Sequence, residues 1–174
     1  MSVMESLGGY LKKTYDVMAD MGLLLGSVGG DGRVNLMTIG WGLIGIVWFK
    51  PIFLVAVRKT RYTHKLMEET GVFTVNVPSE DMRCACEVCG TLSGRDVDKF
   101  EKTGLTWRPG DHVKAPVVDG CPIVYECRVV YKDDVDLPRL TREIVESAYP
   151  AGNIHTLYYG EILKVHASPF HASP

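Results

Sequence analysis

The sequence lacks a surplus of charge of either sign. Its 174 residues include 19 Lys and Arg against 21 Asp and Glu, which gives a formal net charge of -2. No block of like charges stands out along the chain. Proteins that bind nucleic acids usually carry an excess of Lys and Arg, because phosphate contacts dominate their affinity. No nucleic-acid partner is therefore expected.

A long unbroken hydrophobic run is also missing. The most apolar stretch, residues 36–57, is interrupted by three glycines and by Lys50-Pro51, whereas a membrane helix needs about 20 continuous apolar residues. The first ten residues lack the basic and apolar parts of a secretory signal. Because the cysteines number five, an odd count, free thiols in a reducing compartment are expected. We expect one cytoplasmic domain over residues 1–174, with no membrane partner.

Several common site motifs are missing. No G-x-G-x-x-G joins a predicted strand to a predicted helix, and there is no G-x-x-x-x-G-K-[ST] or H-E-x-x-H, which argues against Rossmann, P-loop and zinc-protease sites. Cys84, Cys86 and Cys89 are closely spaced, but a closed zinc site takes four ligands. Cys121 and Cys127 do not supply a second pair at C-x-x-C spacing. We expect small buried thiols and no metal, with a zinc-binding regulator as a remote alternative.

The first half of the chain has the pattern of strands with one helix. Residues 22–28 and 33–47 flank a Gly-rich turn, which predicts a β-hairpin. Lys50-Pro51 predicts the next turn, and residues 52–57 a core strand. Tyr62, Leu66 and Met67 have helical spacing, and Gly71 stands at the position of a C-terminal cap. Residues 72–77 then alternate as a strand.

The second half has fewer signals. Ser79 predicts a helix start, and Asp96 predicts the cap of a short helix that runs through Thr103 to Gly104. Residues 123–131 and 154–165 are strand-like. The stretch 133–152 is ambiguous, since its part 140–147 fits a helix or an excursion between strands. Many strands with few short helices predict an antiparallel barrel with helical insertions.

Four segments carry residues suited to chemistry. Residues 35–41 place Asn, Thr and Trp beside glycines, which let a flat ligand approach the backbone, although a curved core strand explains them equally. Residues 58–64 gather three cations and two hydroxyls at a helix start, which suits a phosphate or simply a solvated turn. Residues 89–100 form a small-residue turn before a charged helix. His155 begins a strand, where it would relay a proton, bind a ligand or only pack.

Together these segments resemble the flavin reductase-like family of FMN-binding split barrels, most closely its flavoredoxin-type members. The matching stretches are NLMTIGWG from Asn35, AVRKTRYTHKLMEETGVFTVNVP from Ala56, CGTLSGRDVDKF from Cys89 and HTLYYGEI from His155. They follow the family's order and span most of the chain. The resemblance implies a mainly β fold, a six-stranded antiparallel FMN-binding split barrel with Greek-key character and a few short helices.

The resemblance also implies a site. It implies a homodimer with one FMN per subunit near the interface, and His155 at the open face where a nicotinamide stacks. Phe170, in the tail, would cover the ring from the partner subunit. Lys99 would approach the cofactor and stabilise charge that builds on reduction. The other expected FMN-binding residues are Asn35, Met37, Thr38, Gly40 and Trp41 at the ring, Arg58, Thr60, Arg61, Tyr62 and Thr63 at the phosphate, and Asn76, Cys89, Gly90 and Ser93 opposite.

Three functions remain open at this point. The first is an NAD(P)H-dependent oxidoreductase that transfers hydride to flavin N5 and then reduces flavin or another small-molecule acceptor, with His155 and Lys99 as catalytic residues. The second is a flavoredoxin-like electron carrier with bound FMN and a redox protein as partner. The third is a non-redox flavin-binding module. The sequence does not separate NADH from NADPH, because the residue that reads the 2′-phosphate depends on three-dimensional placement.

Overall fold

The computed structural model describes residues 3–167, with side chains from Leu7 onward. Within this part the chain forms nine strands and five helices. The strands are β1 Leu23–Val28, β2 Val34–Ile39, β3 Gly42–Val47, β4 Lys50–Arg58, β5 Val72–Val77, β6 Trp107–Pro109, β7 Pro116–Val118, β8 Ile123–Asp134 and β9 His155–Ala167. The helices are α1 Val3–Asp20, α2 Tyr62–Thr70, α3 Arg83–Thr91, α4 Lys99–Thr103 and α5 Arg142–Ala148, with 3₁₀ turns at Glu80–Met82 and Leu137–Arg139.

The main sheet is antiparallel and has the strand order β2-β1-β5-β8-β9-β4-β3, while β6 and β7 form a separate two-stranded ribbon. The predicted mainly β fold with few helices is confirmed, but the sheet has seven strands where six were expected.

The predicted single strand over 33–47 is wrong. The chain turns at Gly40 and Trp41, so β2 and β3 lie at opposite ends of the strand order. A Cβ at Gly42 would stand 2.9 Å from the carbonyl oxygen of Leu54, so glycine permits the close approach that follows this turn.

The β3–β4 hairpin turns at Trp48 and Phe49, which adopt φ of 52° and 57°. Val47 pairs with Lys50, so the loop has two residues, and two-residue hairpin loops favour positive φ at both positions. The predicted turn at Lys50-Pro51 is therefore wrong, because both residues belong to β4. The usual Asn-Gly signal of such a turn is replaced by two aromatics, and this left the turn invisible in the sequence.

The helix caps follow the local sequence. Gly71 ends α2 in the left-handed region, with φ of 66°, and its N–H donates to Met67, as the cap pattern predicted. The short helix α4 is capped by Asp98, whose carboxylate accepts from the N–H groups of Phe100 and Glu101 at 2.9 and 3.2 Å. The predicted cap at Asp96 is thus displaced by two residues. Within residues 133–152, the helical alternative for 140–147 is confirmed by α5.

The core lies between the sheet and α1, which the sequence left unassigned. Thr14 on α1 shares a 2.6 Å hydrogen bond with the Tyr125 hydroxyl beneath it. A Cβ at Gly160 would stand 2.3 Å from the Phe73 ring, so this glycine leaves room for Phe73 inside the barrel.

No helix in the described part of the chain is long and apolar enough to cross a membrane. Since β2 and β4 approach each other without pairing, the barrel stays open along that line.

Candidate functional site

A cleft follows the open line between β2 and β4. It has a volume of about 420 Å³ and is called the main cleft here. Polar and charged side chains line it together with four apolar ones and the backbone of Gly40. The lining residues are Met37, Thr38, Ile39, Gly40, Trp41, Ala56, Arg58, Thr60, Arg61, Asn153 and His155.

A second, smaller pocket continues from the main cleft to the start of α2. It has a volume of about 240 Å³, is called the helix pocket here, and shares Met37, Thr60 and Arg61 with the main cleft. Its other lining residues are Asn35, Tyr62, Thr63, Leu92, Ser93, Gly94, Arg95 and Lys99. The two pockets together form one continuous site, with the aromatic ring of Trp41 in the main cleft and the cations Arg61, Arg95 and Lys99 in the helix pocket.

Side-chain hydrogen bonds fix β2 beside these pockets. The amide of Asn35 donates to the Thr63 hydroxyl at 2.9 Å, and the Thr38 hydroxyl donates to the carbonyl of Cys86. A Cβ at Gly94 would stand 2.0 Å from the Asn35 amide oxygen, so glycine is required there. Strand β2 is thereby tied to α2 and α3, although no strand partner holds its outer edge in the described sheet.

The helix pocket has the electrostatics of an anion site. No side chain caps the start of α2, so the first N–H groups and the positive end of the helix dipole remain available. Arg61 donates to the carbonyl of Gly90 at 2.6 Å. Arg95 donates to the carbonyl of Thr60 at 3.0 Å and lies over the ring of Tyr62. Among the described residues that line this pocket there is no carboxylate, so its positive potential is unopposed.

Lys99 is buried at the back of the helix pocket, with an exposed fraction of 4%. Its Nζ donates to the carbonyls of Leu36 and Cys89 at 2.7 and 2.9 Å. Burial lowers its pKa to about 8, and the positive charge of Arg61 adds to this effect. Lys99 therefore links β2 to α3 as well as contributing charge to the pocket.

His155 stands at the opposite end, in the main cleft. Its ring centroid lies 4.6 Å from that of Trp41, and its Nδ1 lies 2.9 Å from the Tyr149 hydroxyl. Burial lowers the pKa of His155 to about 4, and the charge of Arg58 lowers it further. The imidazole is therefore neutral at physiological pH.

Two of the expected FMN-binding side chains reach neither pocket, and a third lies away from the expected phosphate end. Arg58 was expected at the phosphate, but its guanidinium donates to the carbonyls of Asn153 and Ala148 and lines only the main cleft. Asn76 is fully buried, donates to the carbonyl of Leu24 and accepts from the N–H of Val118, so it reaches neither pocket. The Cys89 side chain is fully buried, and only its carbonyl faces Lys99.

The structure brings most of the other expected residues together. Twelve of them line the two pockets, counting Lys99 and His155, and Gly90 borders the helix pocket through its hydrogen bond with Arg61. The expectation for Phe170 lies outside the described residues. The sequence reasoning missed Arg95, which lies within the quoted CGTLSGRDVDKF stretch and was detectable there as an extra cation. It also missed Tyr149, for which the ambiguous segment gave no signal.

The cysteines give no support to a metal site. Cys86 and Cys89 are buried on α3, and burial raises the pKa of each thiol to about 11. Among the described residues, the one His, Cys, Asp and Glu cluster compact enough for an ion is Asp111, Glu126 and His166. Glu126 there already accepts from three backbone N–H groups and from the His166 ring, so its oxygens are committed to hydrogen bonds.

Comparison with known proteins decides the family. Residues 18–172 match the flavin reductase like domain. The chain belongs to the flavin reductase like family. An uncharacterized protein of Archaeoglobus fulgidus is 35% identical over 138 residues, which cover 79% of this chain and 68% of that protein.

Solved structures agree with the family assignment. The flavoredoxin of Desulfovibrio vulgaris (Miyazaki F) has a TM-score of 0.68 and 30% identity, with 84% of this chain and 68% of that one covered. The flavoredoxin of Methanosarcina acetivorans has a TM-score of 0.66 and 29% identity, over 85% and 69% of the two chains. An NADH:FAD oxidoreductase of Streptomyces globisporus shares the fold at a TM-score of 0.64 and 21% identity, over 86% and 76%.

The buried amine of this flavin reductase like domain predicts a pH effect on stability. The folded state lowers the pKa of Lys99 from 10.5 to about 8. Between pH 8 and 10.5 the Lys99 amine is therefore protonated in the unfolded chain and largely neutral in the folded one, so the free energy of unfolding rises with pH across this window. We expect the unfolding free energy of the wild type relative to Lys99→Met to rise by about 3 kcal/mol from pH 8 to 10.5, measured by urea denaturation.

A matched control is Lys102→Met, which removes an exposed amine from the same helix. Its difference from the wild type should stay constant over the same range. A flat difference for Lys99→Met would show that the amine titrates normally and is not desolvated.

Proposed function

We propose that this chain binds FMN across the main cleft and the helix pocket and passes electrons through it, as an NAD(P)H-dependent oxidoreductase. One observation carries the proposal. A partly apolar cleft beside Trp41 shares Met37, Thr60 and Arg61 with a cationic pocket at the start of α2. FMN has a flat ring at one end and a phosphate dianion at the other, so the order and chemistry of the two pockets suit it.

The donor set at each end fits the corresponding part of FMN. The helix pocket offers uncapped N–H groups, the Ser93 hydroxyl and the cations Arg61 and Arg95, which together suit a phosphate. The main cleft offers Met37 and Trp41 as a wall and polar groups for the pyrimidine edge. Its volume lies within the range of about 300–1,000 Å³ usual for cofactor sites. The names of related structures support flavin as well, since both flavoredoxins and an FMN-binding protein of Thermus thermophilus have this fold.

Bound FMN would supply the redox chemistry, in which NADH or NADPH gives a hydride to flavin N5. The chain would supply binding, orientation and charge. Arg61 lines both pockets and places positive charge beside the main cleft, where it would stabilise negative charge gained on reduction, while Lys99 adds charge in the helix pocket. Trp41 and His155 lie in contact and form one wall of the main cleft. No side chain has to act as a nucleophile.

A second function is favoured by the degree of similarity. The flavoredoxin of Desulfovibrio vulgaris is 30% identical to this chain, whereas the Streptomyces globisporus NADH:FAD oxidoreductase is 21% identical. An electron carrier needs the same FMN site without a productive site for nicotinamide. In that case a redox protein, rather than a small molecule, would exchange electrons with the flavin.

We also propose that the functional unit is a homodimer joined through the exposed apolar surface of the β3–β4 hairpin, called the hairpin face here. Leu43, Ile46 and Phe49 are 68%, 63% and 96% exposed, and Trp48 contacts Tyr131 with ring centroids 5.8 Å apart. β3 is an edge strand, and an exposed apolar edge usually requires cover.

The hairpin face reaches the proposed FMN site. An apolar cleft of about 650 Å³ lies along Leu43 and Leu54 and shares Gly40, Trp41 and Ala56 with the main cleft. A second copy of the chain seated on the hairpin face would therefore border the main cleft and exclude water from it. This continuity is what favours a second copy over an unrelated partner.

The phosphate assignment predicts selectivity between flavins. Arg61→Met should weaken FMN binding by about 10–100-fold, because a charge-assisted hydrogen bond to phosphate is lost. Riboflavin, which has no phosphate, should lose far less. Quenching of flavin fluorescence measures both affinities. Arg139→Met removes an exposed arginine elsewhere and should change neither. Equal losses for FMN and riboflavin after Arg61→Met contradict the assignment.

The oxidoreductase function predicts reduction by nicotinamide. Under anaerobic conditions, NADH or NADPH should bleach the yellow absorption of the FMN-loaded protein much faster than that of free FMN. Rapid bleaching followed by reduction of an added acceptor supports the enzyme. FMN that binds tightly but is not bleached by either nicotinamide indicates the electron carrier instead, and a folded protein that takes up no FMN contradicts both functions.

The dimer proposal predicts that the turn can be changed without loss of the fold. Trp48→Asn with Phe49→Gly supplies the residues that two-residue hairpin turns prefer and removes two exposed rings. We expect an unchanged or higher melting temperature and a dimer dissociation constant raised by about 30-fold or more. Analytical ultracentrifugation measures the association.

The control for this change is Ile144→Ser, which removes an exposed apolar side chain from α5. It should leave the dissociation constant unchanged. A wild type that is monomeric at tens of micromolar, or a double variant that dimerises normally, contradicts the use of the hairpin face.

A further inference from the structure

Tyr149 is held in one position by the end of β4. It follows α5 and is 6% exposed. The Arg58 guanidinium donates to the carbonyl of Ala148 at 3.0 Å and to that of Asn153, so it ties the chain on both sides of the tyrosine. The same guanidinium lies 5.5 Å from the centre of the Tyr149 ring, a distance at which the cation stabilises the ring position.

The Tyr149 side chain in turn fixes the ring of His155. Its hydroxyl lies 2.9 Å from His155 Nδ1, and the two ring centroids are 5.5 Å apart in an edge-on arrangement. Trp41 contacts the imidazole at 4.6 Å. The imidazole is thus held by an aromatic contact on one side and a hydrogen bond at a single nitrogen.

Both partners of this hydrogen bond are neutral near pH 7. Burial and the charge of Arg58 lower the pKa of His155 to about 4, while burial raises the pKa of the Tyr149 hydroxyl. A neutral imidazole carries one proton, either on Nδ1 or on Nε2, and the hydrogen bond at Nδ1 decides which. The direction of that bond therefore sets the chemistry of the other nitrogen.

Which of the two groups donates in this hydrogen bond follows from the need of the Tyr149 hydroxyl proton for an acceptor. If Nδ1 were the donor, the Tyr149 hydroxyl would need a separate acceptor, and in the described residues its hydrogen-bond partner is His155 alone. If the hydroxyl is the donor, one hydrogen bond satisfies the phenol proton and the Nδ1 lone pair together. The second arrangement pairs both the phenol proton and Nδ1, and leaves only Nε2, which faces the main cleft, for a ligand, so it is favoured.

We propose that Tyr149 is a positioning residue that holds His155 in the tautomer with its proton on Nε2, and so makes His155 a neutral hydrogen-bond donor in the main cleft. Nε2 has no partner among the described residues, and His155 lines the cleft. The donor would suit a carbonyl oxygen of the flavin, of nicotinamide or of an acceptor. This ligand class rests on the proposed function, but the tautomer does not.

The inference changes the role expected of His155. A histidine with a pKa of about 4 is a poor proton relay at neutral pH, because its cationic form is scarcely populated. As a fixed neutral donor it orients a carbonyl group and adds no net charge. Tyr149 never contacts the ligand in this role and acts only through His155.

The tautomer is read by ¹⁵N NMR on full-length protein that carries ¹⁵N-labelled histidine, first without flavin. The signals of His155 are assigned by their loss in His155→Gln. In the wild type we expect the proton on Nε2 and no protonation above about pH 5, given the pKa of about 4. A wild-type proton on Nδ1 overturns the proposal without any variant.

Tyr149→Phe keeps the ring over Arg58 and removes only the hydroxyl. It should change the ratio of the two tautomers by about 5-fold or more and raise the pKa of His155 by about 0.5–1, since the bond that stabilised the neutral form is lost. Tyr131→Phe removes an exposed hydroxyl that bonds to Asp133 and should leave His155 unchanged. An unaltered tautomer ratio in folded Tyr149→Phe overturns the proposal.

The same samples separate this inference from the proposed function. If the protein takes up no FMN but carries the His155 proton on Nε2, the role of Tyr149 is supported and the flavin proposal is contradicted. If it binds FMN tightly with the His155 proton on Nδ1, the flavin proposal is supported and the role of Tyr149 is contradicted. A purely structural tyrosine would lower the melting temperature in Tyr149→Phe and leave the tautomer in place, which counts against positioning.

Discussion

The rest of the structure depends on one missing interaction, the ladder of hydrogen bonds that would join β2 to β4. The chain leaves β2 through Gly40 and Trp41 and returns as β3 at the far end of the sheet order, so β2 and β4 face each other across a gap. Backbone groups along such a gap need partners other than a strand. Along this gap the Leu36 carbonyl of β2 accepts from the buried Lys99 amine, and the space between the two strands is the site.

Side-chain hydrogen bonds take the place of that missing ladder. Asn35, Thr38 and the amine of Lys99 anchor β2 to α2 and α3. On the other side, Arg58 anchors the end of β4 to the last residue of α5 and to Asn153 beyond it. Because both edges are fixed by directional bonds to different helices, the width of the cleft is set before any ligand arrives. Preorganised sites of this kind lose less entropy on binding.

The parts of this site that were predictable from the sequence are those encoded locally. The cations and hydroxyls of residues 58–64 stand at a helix start because that helix and its Gly71 cap are written in neighbouring residues. Arg58 escaped this reasoning, since its partners Ala148 and Asn153 are about 90 residues away. The burial of Asn76 was not predictable either, because its amide oxygen accepts from the N–H of Val118, which belongs to the short strand β7 far along the chain. The turn at Trp48 was not predictable because its positive φ is set by the register of the β3–β4 hairpin and not by the preferences of its own residues.

The two ends of the site have different electrostatics, and this separates their tasks. Arg61, Arg95 and the start of α2 concentrate fixed positive charge in the helix pocket, so anion affinity there holds over the whole neutral range. His155 adds no charge to the main cleft near pH 7, since burial and Arg58 keep its pKa low. Lys99 is the one buried group in the described site whose pKa, about 8, lies close to neutrality. Loss of the Lys99 charge above that pH would therefore weaken anion retention in the helix pocket, where Arg61, Arg95 and the start of α2 supply the rest of the positive potential.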